Sequence, residues 1–173
     1  VYQSLLRSYE SSEDMEAKER MHNASCLAGI SFNLASLGLN HAIAHNIGGK
    51  LHVPHGRANA ILLPHVIEFN SNITGFTPKD YSEAAIKYAK IAKLIGVSGS
   101  TVRLSVKNLI SEITKLMQRM KMPTKLTECK ISTEDILKEK KGIAEGALKD
   151  ACILTNPRAA SISDISEILH KIS

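Results

Sequence analysis

Four of the seven histidines fall within fifteen residues, in Gly38-Leu39-Asn40-His41-Ala42-Ile43-Ala44-His45-Asn46-Ile47-Gly48-Gly49-Lys50-Leu51-His52-Val53-Pro54-His55. An imidazole titrates near pH 6.5 and offers a lone pair to a proton or a transition metal, so such a cluster is a candidate for proton transfer or metal binding. The stretch is almost without charge, a poor composition for a solvated surface. His41 and His45 stand four apart in a run free of Gly and Pro, and in a helix both rings leave the same face. Gly48-Gly49 offers a left-handed helix stop, and Val53, preceding a proline, is expected to be extended. Pro54 can open the next helix, with His55 in its first turn. Two short helices folded back through residues 48 to 53 would bring His55 toward His41. Spacing alone is equally compatible with buried histidines satisfied by backbone carbonyls, because two histidines four apart recur by chance.

Gly38-Leu39-Asn40-His41-Ala42-Ile43-Ala44-His45, followed by Pro54-His55-Gly56-Arg57-Ala58-Asn59-Ala60-Ile61-Leu62-Leu63-Pro64-His65-Val66-Ile67-Glu68-Phe69-Asn70, resembles the signature of the iron-containing alcohol dehydrogenases. Asp150-Ala151-Cys152 through Asn156-Pro157-Arg158 is similar to that family's C-terminal pocket segment. The resemblance implies an all-α fold, the helical bundle of the C-terminal domain of dehydroquinate-synthase-like and iron-containing alcohol dehydrogenases. It further implies that His41 and His55 are ligands of Fe2+ or Zn2+. His45 is then a proton relay held off the metal, beside the nicotinamide. Phe32, Leu37 and Cys152 match walls of the nicotinamide pocket. The implied reaction interconverts a short-chain alcohol and its aldehyde with NAD(H).

The family's other two ligands come from an Asp-x-x-x-His pair, and none precedes His41. No GxGxxG motif follows a strand, and the chain starts with Val1 inside an apparently helical stretch. Residues 1–173 are therefore expected to be a single helical domain, a fragment without its nucleotide-binding domain. Two imidazoles without a carboxylate lose chelation and charge compensation, so the fragment is expected to hold neither iron nor NAD(H) usefully and to be inactive alone. The Asn40-containing motif leans toward the propanol, ethanolamine or propanediol utilisation branch. The cysteine usage fits a cytoplasmic protein, which could also lie inside a bacterial microcompartment. The long aliphatic helix faces left uncovered lead to the expectation of a homo-oligomer. The alternatives are a zinc-dependent glycerol-type dehydrogenase of the same superfamily and a non-enzymatic helical interaction module.

The elements that must position these residues are helical. Hydrophobic residues make up 43% of the sequence but aromatics only 4%, with no Trp, so the core must be aliphatic. Few alternating β-branched runs occur. Helices are expected over residues 1 to 9, Met15 to Leu37, His41 to Ile47, Pro54 to Phe69 with a kink at Pro64, and Lys79 to Leu94 with a stop near Gly96. Three more follow: one of about 20 residues from Val102, one capped by Ser132 and reaching Asp150, and one starting at Ser161. The second half of the Met15 helix, nearly chargeless, is expected to enter the interior. Met117, Met120 and Met122 read as gap-filling core rather than a soft-metal stripe.

The net charge of +5 is spread among acids along helical faces, which argues against a nucleic-acid partner. Three widely spaced cysteines without CxxC suggest neither a disulfide framework nor a cysteine zinc site. No apolar run approaches the ~20 residues that span a bilayer, so no membrane partner is expected.

Overall fold

The computed structural model describes residues 1–73, 75 and 77–173. Those residues form α1 (Leu5–Glu10), α2 (Met15–Ala35), α3 (Leu39–Leu51), α4 (His55–Ser71), α5 (Glu83–Leu94), α6 (Val102–Arg119), α7 (Thr133–Lys149) and α8 (Ile162–Lys171). Short 3-10 turns lie at Pro78–Asp80, Thr127–Cys129 and Ala151–Thr155. No strand occurs among the described residues.

Side-chain caps set most of the helix starts. Asp14 accepts from the Ala17 N–H at α2, and Ser82, Thr101 and Ser132 do the same for α5, α6 and α7. Ser161 and Asp164 form a reciprocal capping box at α8. Each bond satisfies an N–H that a helix start leaves without an intrahelical partner. Gly96, at φ +79°, takes the left-handed turn after α5 where a side chain would be strained.

Helices α3, α4, α7 and α8 enclose the main core, in which Leu39, Ile43, Ile47, Ile61, Ile143 and Leu169 are buried. A smaller cluster, Ile67 with Ala85 and Val106, joins α4 to α5 and α6. Met117 is buried, as gap-filling core. Helix α7 packs against α3. A Cβ on Gly146 would stand 1.9 Å from Asn46 Oδ1, and one on Gly142 2.8 Å from Lys50 Nζ. Two glycines on α7 thus leave room for two α3 side chains, and they seat the helix that carries His41 and His45.

Several local expectations are corrected. Helix α1 starts at Leu5 rather than at the first residue. Helix α3 does not stop at Gly48-Gly49 but continues to Leu51, and His52 takes the left-handed position at φ 55°. Its N–H then bonds the Gly48 carbonyl at 3.1 Å. Pro54 is the residue before α4 rather than its first, so His55 opens the helix. The expected kink position, Pro64, lies inside α4, which does not end there. The proline forfeits one backbone bond, while Ile61, Leu62, Val66 and Ile67 around it stay buried, so packing holds the helix together.

The largest correction concerns α2. Only Ala17 of this helix is buried, whereas Leu27, Ile30, Phe32 and Leu34 in its second half are 64, 56, 51 and 82% exposed. The helix meets α3 at a bend of 105°, which carries that half away from the core. Among the described residues, no single helix is long and apolar enough to cross a membrane.

Candidate functional site

The 3.6-residue period puts His41 and His45 one turn apart on α3, with ring centroids 6.1 Å apart. The tight return through His52 and Pro54 starts α4 beside them. His55 lies 5.4 Å from His41 and 5.2 Å from His45, centroid to centroid, and is stacked on the latter. The turn expected from the sequence does bring the three imidazoles together.

A fourth group joins them from far along the chain. Asp150 Oδ2 lies 2.8 Å from His45 Nδ1, and Asp150 Oδ1 accepts from the Cys152 N–H at 2.8 Å. The acid is the N-cap of the Ala151–Thr155 turn, so one carboxylate both starts that turn and fixes a histidine ring. A carboxylate has no proton to give, so His45 donates through Nδ1–H and keeps Nε2 as the basic nitrogen. Burial would raise the Asp150 carboxyl, but hydrogen bonds from the Cys152 N–H, His45 and the Cys152 thiol hold it below its ordinary range. The Cys152 thiol is pushed up, first by burial and then by bonding to that carboxylate. His41 is held below the usual imidazole value, chiefly by burial and then by His55 and His45, against a smaller opposing pull from Asp150. It therefore stays neutral, the form that binds a metal.

His55 is oriented by amides. Asn40 Nδ2 donates to Asn59 Oδ1 at 2.7 Å, which fixes the Asn59 amide so that its Nδ2 lies 3.0 Å from His55 Nε2. Asn40 Oδ1 is buried without a hydrogen-bond partner among the described residues. Asn156 ties the elements together. Its Oδ1 accepts from the Leu39 N–H at 3.0 Å and from Asn70 Nδ2 at 3.1 Å. Its Nδ2 donates to Asn70 Oδ1 at 2.8 Å and to the Arg158 carbonyl at 2.6 Å. Arg158 in turn covers the Phe69 ring at 4.0 Å and donates to the Phe69 carbonyl. The segment bearing Asp150 and Cys152 is thereby fastened to the start of α3 and the end of α4.

A cleft of about 500 Å³ opens beside His41, lined among others by Leu37, Leu63, Ile91 and Asn156. The Thr155 hydroxyl donates to the Leu37 carbonyl, joining the cleft wall to the turn that carries Cys152. Phe32 is not in that wall; it stands half exposed on α2. His22, His52 and His170 are exposed and outside the cluster, and His65 is half-buried on α4.

Burial also pushes the His65 imidazole down, with the Glu68 charge opposing and Lys171 assisting. The unfolded chain binds protons near pH 6.5, while folded His41 and His65 bind them only at lower pH. Their contribution to stability is therefore complete above pH 6.5 and is lost as pH falls from there through the folded values. Urea midpoints at about pH 7.5 and 5.5 should show this decline, and His65→Gln should flatten part of it. An unchanged slope in that variant would contradict the assignment.

His41 and His55 fit a metal as half of a coordination set. Their rings are adjacent, His41 is neutral, and an ion could take the Asn59 amide's place at His55 Nε2. A third and fourth donor are still required. Among the described residues, the three-donor group that converges is His45, Asp150 and Cys152, which includes neither of them.

A helical domain thus gathers three imidazoles and a carboxylate, with His41 lining an apolar cleft. The chain belongs to the Fe-containing alcohol dehydrogenase family, whose C-terminal part it matches over residues 1–173. It is 40% identical over 168 residues to the NADPH-dependent butanol dehydrogenase of Clostridium saccharobutylicum, covering 97% of this chain and 40% of that protein. It is 37% identical over 174 residues to the 1-propanol dehydrogenase PduQ of Salmonella typhimurium, covering 99% and 45%. Its fold superposes on a 1,3-propanediol oxidoreductase with a TM-score of 0.86 at 32% identity, covering 99% of this chain and 42% of that one. An iron-containing alcohol dehydrogenase from Thermococcus thioreducens gives 0.82 at 33% identity, covering 99% and 40%. The chain thus spans less than half the length of these relatives.

Asp150, Asn59 and Asn156 were not singled out by sequence reasoning as site residues. Asp150 and Asn156 lie in the segment that carries the family likeness, and Asp150 also precedes a short helical turn as a capping residue should. Either signal could have drawn attention to them.

Proposed function

We propose that this chain supplies the helical, metal-binding part of a dehydrogenase that interconverts a short-chain alcohol and its aldehyde with NAD(H). The observation that carries the reading is the His45–Asp150 pair, at 2.8 Å, beside His55 and beside His41, which lines an apolar cleft. A divalent iron held by His41, His55 and donors from outside these residues would act as a Lewis acid toward an alcohol oxygen, and a nicotinamide over the cleft would accept hydride. The remaining work falls to this chain. His45 Nε2 receives the alcohol proton, and Asp150 fixes the ring through Nδ1 and stabilises the imidazolium once formed. The His45 side chain is 40% exposed, so the proton can pass on to water. Leu37 shapes the wall against which the nicotinamide and substrate lie, and Cys152 sits outside that wall on the turn that ends in Thr155.

A chimera tests this reading directly. Placing this chain where it aligns in the Salmonella 1-propanol dehydrogenase should preserve iron-dependent oxidation of 1-propanol. A chimera that folds and binds nucleotide and iron but does not turn over would overturn the proposal.

The chain by itself is proposed to be a homo-oligomer built through α2. Residues 21–38 contain no Lys, Arg, Asp or Glu, so two copies of this apolar, half-exposed helix meet without charge repulsion. Light scattering should give a mass above the 18.9 kDa of one chain, and Leu27→Glu with Leu34→Glu should return it to that value. A wild-type monomer at high concentration would contradict this.

A further inference from the structure

We propose that His45, Asp150 and Cys152 form a metal site of their own, distinct from His41 and His55 and suited to a thiophilic divalent ion such as Zn2+. This does not depend on the dehydrogenase reading, because it uses only residues of this chain and their positions.

The three side chains offer one nitrogen, one oxygen and one sulfur, all within 4.8 Å of one another. A tetrahedral ion with bonds of about 2.0–2.3 Å places its donors roughly 3.4–3.7 Å apart. The tightest pair, His45 Nδ1 and Asp150 Oδ2 at 2.8 Å, must open slightly, and the widest must close by about 1 Å. A rotation of the short Cys152 side chain supplies a movement of that size. The backbone already holds the set in place. Asp150 is fixed by the Cys152 N–H, and Asn156 fastens the same segment to α3.

Two protons now occupy the places an ion would take. One lies between His45 Nδ1 and Asp150, and the other is carried by the Cys152 thiol, whose sulfur lies within 4.8 Å of the other two donors. Binding would shift the first to His45 Nε2 and release the second to solvent. The resulting thiolate and carboxylate together balance the two positive charges of the ion, with a neutral imidazole as third ligand and water as fourth. Among the described residues, the three-donor group that converges includes neither His41 nor His55. A thiolate also selects differently from imidazole alone, favouring Zn2+, Cd2+ and Co2+ over Mg2+ or Ca2+. An ion seated here consumes Nδ1 of His45 and places a proton on its Nε2, so the site would oppose any role of that nitrogen as a base.

Titration of the protein with Co2+ tests the proposal, because a cobalt–thiolate bond absorbs in the near ultraviolet and a cobalt–imidazole bond does not. The expected result is a charge-transfer band that saturates at one equivalent and is displaced by Zn2+. It should survive in the His41→Ala/His55→Ala double variant and in Cys26→Ser and Cys129→Ser. Cys152→Ser should abolish it, and Asp150→Asn should weaken binding by about tenfold or more. In parallel, Zn2+ should protect Cys152, mapped by mass, from alkylation in the unaltered protein, which does not rely on any variant folding. Absence of the band at one equivalent, its persistence in Cys152→Ser, or unhindered alkylation of Cys152 in zinc would overturn the proposal.

Discussion

His45→Ala in the chimeric dehydrogenase is expected to keep its iron and lose turnover by ~10²–10⁴, the usual contribution of a positioned proton-transfer group. The expectation rests on the pairing of His45 Nδ1 with Asp150, which leaves the other nitrogen as the base. His41→Ala and His55→Ala should behave differently, losing bound iron and turnover together, because each removes an imidazole from a set with few donors. Asp150→Asn gives an intermediate test. The amide can still bond the His45 ring but cannot stabilise its cation, so kcat should fall with little change in iron content. Metal analysis beside steady-state kinetics separates the cases. Equal loss of iron in His45→Ala, His41→Ala and His55→Ala would remove the division of roles.

The second large effect is structural. Asn156→Ala is expected to lower unfolding free energy by about 3 kcal/mol, because it leaves buried polar groups without partners rather than merely deleting a contact. Asn70, 5% exposed, loses both of its amide bonds to Asn156, and the Leu39 N–H at the start of α3 loses its acceptor. Asn156→Asp keeps an acceptor for Leu39 and Asn70 but no donor for Asn70 Oδ1 or the Arg158 carbonyl, so it should cost less. Urea denaturation of the three proteins measures the difference. A loss below about 1 kcal/mol for the alanine variant would show that water or a local shift replaces the network.

How much of this was legible before the fold was known depended on the range of the interaction. The helical spacing of His41 and His45 and the turn before His55 are local, and residue order conveyed them. The caps at Ser132 and Ser161 are local too, and the structure bears them out. Asp150 meets His45 across 105 positions, and no periodicity links the two. The Asn40–Asn59 and Asn70–Asn156 amide pairs were equally invisible, since asparagine reads first as a turn or cap residue. At Gly48-Gly49 the residue type suggested a stop. The left-handed position fell on His52 instead, and α3 kept Ile47 and Leu51 in the core by running four residues past Ile47. Helix α2 failed for another reason. Composition records what a surface needs, and the apolar run from Leu27 to Leu34 needs cover that the described residues do not give it.

That uncovered half of α2 also makes part of the secondary structure a function of concentration. A natural helix in water owes most of its stability to the face it packs, and here the packed portion is confined to the first turns, around Ala17. The remaining turns are held only as far as something occupies the surface of Leu27, Ile30 and Leu34. By mass action, dilution empties that surface and the turns fray, while crowding fills it and they reform. The far-ultraviolet helix signal of the protein should therefore rise with its own concentration, with the bundle around Ile43 and Ile143 contributing a constant part.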